Sequence, residues 1–424
     1  MDEHKAPQVS RRVLDTDAPC IIKTKKMMMS KPGALSLAQG IVHWGPPPEA
    51  LAHAAHAVMH DPSVHSYGPG DGLPALVQAL QEKILTRNGL EKYKVMVTAG
   101  ANQAFTNVVL ALMDETDEVV LFTPYYFNHL MAIQMTGGAS RIIYGECDPL
   151  TLHPNLEWLQ TVLSKPTPPK MVVLVNPCNP TGVLLSKAEV QQASDMCAAA
   201  GTWLVLDNTY EDFVFGGREH FCVGGRHVIN IFSFSKAYGA MGWRVGYVAY
   251  PDYDGDDAAG SQLLKIQDTI PICASTLSQQ VALVSLTHGH EYVRANIDGL
   301  AGNREVLIDA LSPLRDAGCT VAGGEGAIYL WAQLPRETCD DEAVVAWLVQ
   351  EHGVGVIPGS ACGSPGYFRA AFGNLKPDVY KVAAARLKAG LRQLVEHRSL
   401  RSSAQNGTTG NSHTATAAEC VAMT

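Results

Sequence analysis

Residues 228–247 read VINIFSFSKAYGAMGWRVGY, and the fold is worked outward from them. Val228–Phe232 is a short, mostly apolar run of the kind that forms a strand covered on both faces. Ser233-Phe234-Ser235-Lys236 follows directly, which places a lysine at the end of a buried strand. Taken alone, a surface lysine past a strand end is the simpler account, because lysine is seldom buried. Its company alters that balance. Arg244 stands eight residues further on, inside Gly242-Trp243-Arg244-Val245-Gly246-Tyr247. Serine hydroxyls and a guanidinium around a lysine can hold a phosphate while the amine stays free to form an imine.

On either side, short β-rich runs alternate with longer helical ones. Lys94–Thr98, Glu118–Thr123, Met171–Val175, Trp203–Asp207 and Val245–Tyr250 read as further strands. Asn102–Met113 and Lys187–Ala200 read as helical crossovers, and Leu73–Leu85 as a helix after the turn Gly68–Gly72. This is the α/β pattern, with a mainly parallel sheet between helices. A helical region near Ser275–Ala310, followed by Ala327–Gln333 and Gly353–Ile357 as strands, predicts a second, smaller α+β domain.

Three other places end apolar strands with polar residues. Asn176-Pro177-Cys178-Asn179-Pro180-Thr181-Gly182 follows Met171–Val175, so Asn179 projects from the carboxyl end of the sheet, where open α/β sheets bind ligands. An ordinary strand-to-helix turn explains the same residues. Asp207 closes its strand and precedes Asn208, Thr209 and Tyr210. A carboxylate there needs a partner, either a protonated heterocyclic nitrogen or the start of a helix. Gly100-Ala101-Asn102-Gln103 opens a helix with free N–H groups, a seat for phosphate, although most such turns bind nothing. Tyr125 and Tyr126 could stack on a flat ring, or belong to the core. Arg369, inside Phe368-Arg369-Ala370-Ala371-Phe372-Gly373, requires an anion: a substrate carboxylate or a structural partner.

Composition narrows the function classes. The chain has 424 residues, 41 acidic against 32 basic, and a net charge of −9. That length predicts two domains, and that balance argues against broad nucleic-acid binding. No apolar stretch reaches the ~18 residues of a membrane span. Ten cysteines without a C-x-x-C pair predict reduced thiols rather than disulfides or a thiolate zinc site. His56 and His60 have i, i+4 spacing beside His53, but lack H-E-x-x-H, so a solvated helix face is expected and no metal. Acidic residues precede the basic patch Lys23, Lys25 and Lys26, which favours the cytoplasm over an organelle.

In this order the motifs resemble the class I/II aminotransferases, fold type I of the pyridoxal 5′-phosphate (PLP) enzymes. The resemblance runs from about Leu37 to about Leu394. It implies that Lys236 carries PLP as a Schiff base and serves as catalyst with Asp207 and Tyr210. Asp207 would pair with the pyridine nitrogen, and Asn179 and Tyr210 with the ring oxygen. Tyr126 would stack on the ring, while Ala101, Asn102, Ser233 and Arg244 would bind the phosphate. Arg369 would take the substrate carboxylate, helped by Asn179 and the backbone near Gly40. Tyr67 would reach the neighbouring subunit's phosphate, implying a homodimer. The domains would be an arm (1–33), a small domain in two parts (34–60 and 301–398), a large domain (61–300) and a disordered tail (399–424). Asn208 stands where family members often have an acid. SLAQGIVHW (36–44), MVTAGANQAF (96–105), DNTYE (207–211) and GEGAIYLW (324–331) resemble plant and algal aromatic aminotransferases, which exchange with methionine and its keto acid. Carbon–sulfur β-lyases, 1-aminocyclopropane-1-carboxylate synthases and non-catalytic PLP-binding proteins share the scaffold and are the alternatives.

Overall fold

The computed structural model describes residues 8–405 except 139, 140, 254, 256, 257, 337 and 339. A seven-stranded sheet forms the centre of the large domain. Its strands are β1 (Tyr93–Thr98), β2 (Val119–Thr123), β3 (Ile142–Glu146), β4 (Met171–Val175), β5 (Trp203–Asp207), β6 (Val228–Ser233) and β7 (Gly246–Pro251). They lie in the order β1-β7-β6-β5-β4-β2-β3. Every pairing is parallel except those of β7, which is antiparallel to both β1 and β6.

The near-continuous Val/Ile/Leu runs of β4, β5 and β6 are explained by cover on both faces. Val173, Val205 and Ile231 pack toward the helix Ala101–Leu112, whereas Val172, Leu204 and Leu206 pack toward the helices Leu156–Leu163 and Lys187–Ala200. Lys187–Ala200 starts where its sequence says it should: Ser186 and Glu189 form a reciprocal capping box, and Gly201 ends the helix at positive φ. Register aligns Val175 with Asp207 and Asp207 with Ile231. The carboxyl ends of β4, β5 and β6 therefore lie side by side.

The smaller domain holds the antiparallel strands β8 (Val321–Gly323), β9 (Tyr329–Gln333), β10 (Ile357–Pro358) and β11 (Tyr367–Ala371), ordered β10-β11-β9-β8. The single strand expected over Gly353–Ile357 is two short pieces. Val354–Gly355 pairs in parallel with Leu35–Ser36, and Ile357–Pro358 pairs with β11. A chain that must serve two different partners within five residues cannot continue one ladder. The pairing with Leu35–Ser36 ties the chain just after residue 34 to the stretch just before β10.

Residues 8–33 contain the helices Arg11–Leu14 and Cys20–Met29. The second is fastened to the body by the Lys23–Glu342 ion pair and by buried Thr24. The last helix runs from Pro377 to Gln405, into the segment expected to be disordered, and the rest of that tail lies outside the described residues. The eight described cysteines are all free thiols. Among the described residues, no helix is long and apolar enough to cross a membrane.

Candidate active site

A cleft of about 320 Å³ opens where the carboxyl ends of the central strands face the small domain. It brings together Lys236, Asp207, Tyr210, Asn179, Tyr126, Ala101, Asn102, Ser233, Arg244, Arg369 and Gly40, residues spread over 330 positions of sequence. Tyr67 does not line it. Its side chain lies on the surface, 80% exposed.

Lys236 follows β6 in a turn, and its Nζ donates to the Gly40 carbonyl at 2.6 Å. Among the described residues, no carboxylate pairs with it. Burial, with Arg244 and Arg369 nearby, brings its ammonium down to about 8, so roughly a tenth of the amine is uncharged at pH 7, far more than for an ordinary lysine. Asp207 is buried, a setting that by itself raises a carboxyl. The His129 Nε2 contact at 3.0 Å and the Thr209 N–H at 2.9 Å outweigh this and hold it below its ordinary value. It stays a carboxylate.

Arg369 projects from β11. It donates to Asn179 Oδ1 at 2.7 Å and to the Ala38 carbonyl at 2.9 Å, and lies over the Tyr329 ring at 4.3 Å. Among the described residues, its buried Nε has no partner. Asn179 is held by its loop, in which Asn176–Pro177 and Asn179–Pro180 are both cis. Gly182 ends this loop at φ +76°, so close to β9 that a Cβ would stand 2.1 Å from the Tyr329 carbonyl. Only glycine meets both conditions. With Oδ1 occupied by Arg369, the Asn179 amide keeps its Nδ2 donors for a ligand.

On the other side, the helix Ala101–Leu112 begins after Gly100 with no side-chain cap. Its first N–H groups stand beside Ser233, Ser235 and Arg244 in the same cleft. Arg244 is pinned by the carbonyls of Met241 and Ala99. Gly100 leaves room for it: a Cβ there would lie 2.3 Å from Arg244 Nη2. Uncapped N–H groups, two serines and a guanidinium make a seat for a dianion.

Two side chains in or beside the cleft, His129 and Tyr329, escape the motif reading. His129 lies on the helix Phe127–Ile133, stacks on Phe105 at 4.1 Å between ring centroids, and holds Asp207. Its signal was its place three residues after Tyr126, one helical turn along the same face. Tyr329 hydrogen-bonds Tyr210 through the two hydroxyls. It sits in the quoted GEGAIYLW stretch, where nothing local marks its partner 119 residues away. Ser235 lines the cleft beside Ser233, whose Oγ accepts the Ser235 N–H at 3.0 Å. Pro19 and Ile21 of the N-terminal arm complete one wall.

Residues 33–387 match the family described as aminotransferase class I and II. The chain belongs to this family. It is 48% identical over 390 residues to aromatic aminotransferase ISS1 of Arabidopsis thaliana, covering 92% of this chain and 98% of that one. It is 28% identical over 344 residues to a probable aspartate/prephenate aminotransferase of Aquifex aeolicus, covering 77% and 82%. Among solved structures, a double mutant of Thermus thermophilus aspartate aminotransferase superposes with a TM-score of 0.80 at 24% identity, covering 91% and 100%, which bears on the fold alone. The chain is thus an aminotransferase with the fold type I architecture. The family uses pyridoxal phosphate, and the site suits it: a cationic surplus of Lys236, Arg244 and Arg369 faces one carboxylate, and Arg369 Nε lacks a partner.

Proposed function

We propose that this chain transfers the amino group of an L-amino acid, aromatic or methionine, to a 2-oxo acid by a ping-pong mechanism with pyridoxal 5′-phosphate in this cleft. The observation that carries the proposal is a buried lysine amine, lowered to about 8 and bonded to the Gly40 carbonyl with no carboxylate partner among the described residues, in one cleft with Arg369 and Asp207. The aromatic preference rests on the 48% identity to a protein named an aromatic aminotransferase.

In this reading the Ala101 and Asn102 N–H groups, Ser233, Ser235 and Arg244 hold the phosphate. Tyr126 covers the ring, and Asn179 Nδ2 and the Tyr210 hydroxyl hold its oxygen. When bound, the cofactor supplies a protonated ring that accepts the electron pair released as the substrate Cα–H bond breaks. Asp207, kept ionised by His129 and Thr209, holds the proton on the ring nitrogen. Arg369 grips the α-carboxylate. Lys236 Nζ would take the Cα proton as base and give it up again as acid; a depressed amine suits both tasks. The first substrate would leave as its 2-oxo acid, and its amino group would pass to the second 2-oxo acid, which leaves as the new amino acid. Exposed Tyr67 supports a homodimer in which it reaches the partner's phosphate, and the composition supports a cytoplasmic protein.

Borohydride reduction of the holoprotein followed by peptide mapping tests the assignment. The label is expected on Lys236; a label elsewhere, or none, overturns it. Turnover with phenylalanine, tyrosine, tryptophan, methionine and aspartate against several 2-oxo acids then tests the substrate class, and aspartate as the preferred donor would overturn that.

A further inference from the structure

Behind the cleft, on the opposite face of the same sheet end, lies a half-buried imidazole that this chemistry does not use. His220 stands in the connection between β5 and β6. One ring nitrogen, Nε2, lies 3.1 Å from the Asn176 carbonyl and 3.0 Å from Asn208 Oδ1. The Asn208 amide is oriented by its other bonds, because Nδ2 donates to Asn230 Oδ1 at 3.0 Å and to the Leu206 carbonyl. Both atoms facing Nε2 are therefore acceptors, so Nε2 carries a proton and shares it between them. On the far side of the ring, Nδ1 is 4.0 Å from the Cys222 thiol. Asn230 Nδ2 donates to the Val223 carbonyl and so ties the same loop back onto β6.

These contacts join the ends of three adjacent strands. Asn176 follows β4 and opens the loop that carries Asn179. Asn208 follows Asp207 on β5. Asn230 lies on β6, six residues before Lys236. The ladder itself continues one step past the strands, with Asn176 N–H on the Asp207 carbonyl and Asn208 N–H on the Ile231 carbonyl. Beyond that step the sheet offers no further rung, and His220 supplies the next one.

We propose that His220 is a positioning residue for transamination: its shared Nε2–H bond fixes the spacing between the Asp207 and Asn179 loops, and so between the two groups that would hold the cofactor ring's nitrogen and its oxygen. Asn208 suits the task better than an acid. An aspartate there would draw a second proton onto the imidazole and replace a neutral rung with a buried charge. Burial, with Lys83 and Arg87 nearby, keeps the ring neutral against the pull of Glu211 and of the Asn176 carbonyl. The inference rests on the assignment of Asp207 and Asn179 to the cofactor.

The test uses the holoenzyme and two readouts: the pH midpoint of the cofactor's absorbance band, and kcat separated from KM. His220→Leu is expected to shift that midpoint by at least half a pH unit and to lower kcat about tenfold, with KM for the amino acid within threefold. His220→Gln keeps a buried N–H donor and is expected to recover most of both. Asn208→Ala, which removes one acceptor and leaves the imidazole, is expected to move the midpoint in the same direction as His220→Leu, and it decides the matter if His220→Leu does not fold. Variants that melt at lower temperature yet keep the wild-type midpoint and kcat would overturn the proposal, as would a glutamine that falls as far as the leucine. A wild-type chain without a cofactor band would instead sink the assignment of Lys236.

Discussion

Asp207 and Asn208 are neighbours in sequence, yet their side chains enter opposite faces of one sheet, as alternation along a strand requires. The two faces treat charge differently. Behind the sheet, charges cancel internally: Lys83 pairs with Glu211, Arg87 with Asp212, and Asn88 adds a bond to Glu211. In front, Lys236, Arg244 and Arg369 share a cleft with one carboxylate, and that carboxylate is already held by His129. A buried charge with an internal partner is accounted for by the fold. One that makes do with carbonyls and leaves a donor over points to an anion from outside. The contrast predicts that removing a charge in front reads out as lost chemistry and removing one behind as lost stability, the neutral His220 rung standing apart from both.

Exchanging matched carboxylates tests this most severely. Asp207→Ala is expected to lower kcat about a thousandfold or more, the scale of losing a preorganised group aimed at developing charge, with little change in the unfolding midpoint. Glu211→Gln should do the reverse. It leaves Lys83 buried against a neutral amide, a change expected to cost about 3 kcal/mol of stability, while kcat stays within a few fold. Steady-state kinetics and denaturant unfolding of both variants check the pair. Two similar profiles would erase the distinction between the faces.

Arg369 gives the next effect. Its partners are Asn179 Oδ1 and the Ala38 carbonyl, and neither compensates a full positive charge. Arg369→Ala is expected to raise KM for the amino acid about fiftyfold, the scale of losing a charge-assisted bidentate contact. Cofactor absorbance should be retained, because the phosphate seat lies at the other end of the cleft. A variant that loses the cofactor and keeps its KM would assign this arginine to the scaffold.

The front face was far more legible in the sequence than the back. Apolar runs ending in Lys236, Asp207 and Asn179 show at once where strands stop and polar groups begin, and the paired strands fall within a residue or two of those limits. Local signals also placed the helix Lys187–Ala200 at its observed ends, because its cap and its terminal glycine are neighbours in the chain. His129, Tyr329 and His220 were illegible for the opposite reason. Each acts through a partner reached only in three dimensions: Asp207 across 78 residues, Tyr210 across 119, and Asn176 across 44. Splitting of Gly353–Ile357 into two pairings has the same cause, since one partner lies near residue 35 and the other near residue 368. Periodicity reports the face of a strand and says nothing about its neighbour.

The smallest expected effect belongs to the back face and has a definite sign. His220 is lowered from 6.5 to about 4 in the fold, by burial above all. Between these values the unfolded chain binds the proton and the folded chain does not, so protonation favours unfolding. Stability therefore rises with pH across the interval, and what is present above 6.5 is lost as pH falls toward 4. After allowance for the partial exposure of this side chain, the loss attributable to it is about 1–2 kcal/mol. Glutamine does not titrate. Unfolding of wild type and His220→Gln should thus diverge by that amount between pH 6.5 and 4 and run in parallel above 7. Parallel curves throughout would mean that the imidazole takes up its proton without leaving the fold, and the back face would then resemble the front in holding charge that its own residues do not balance.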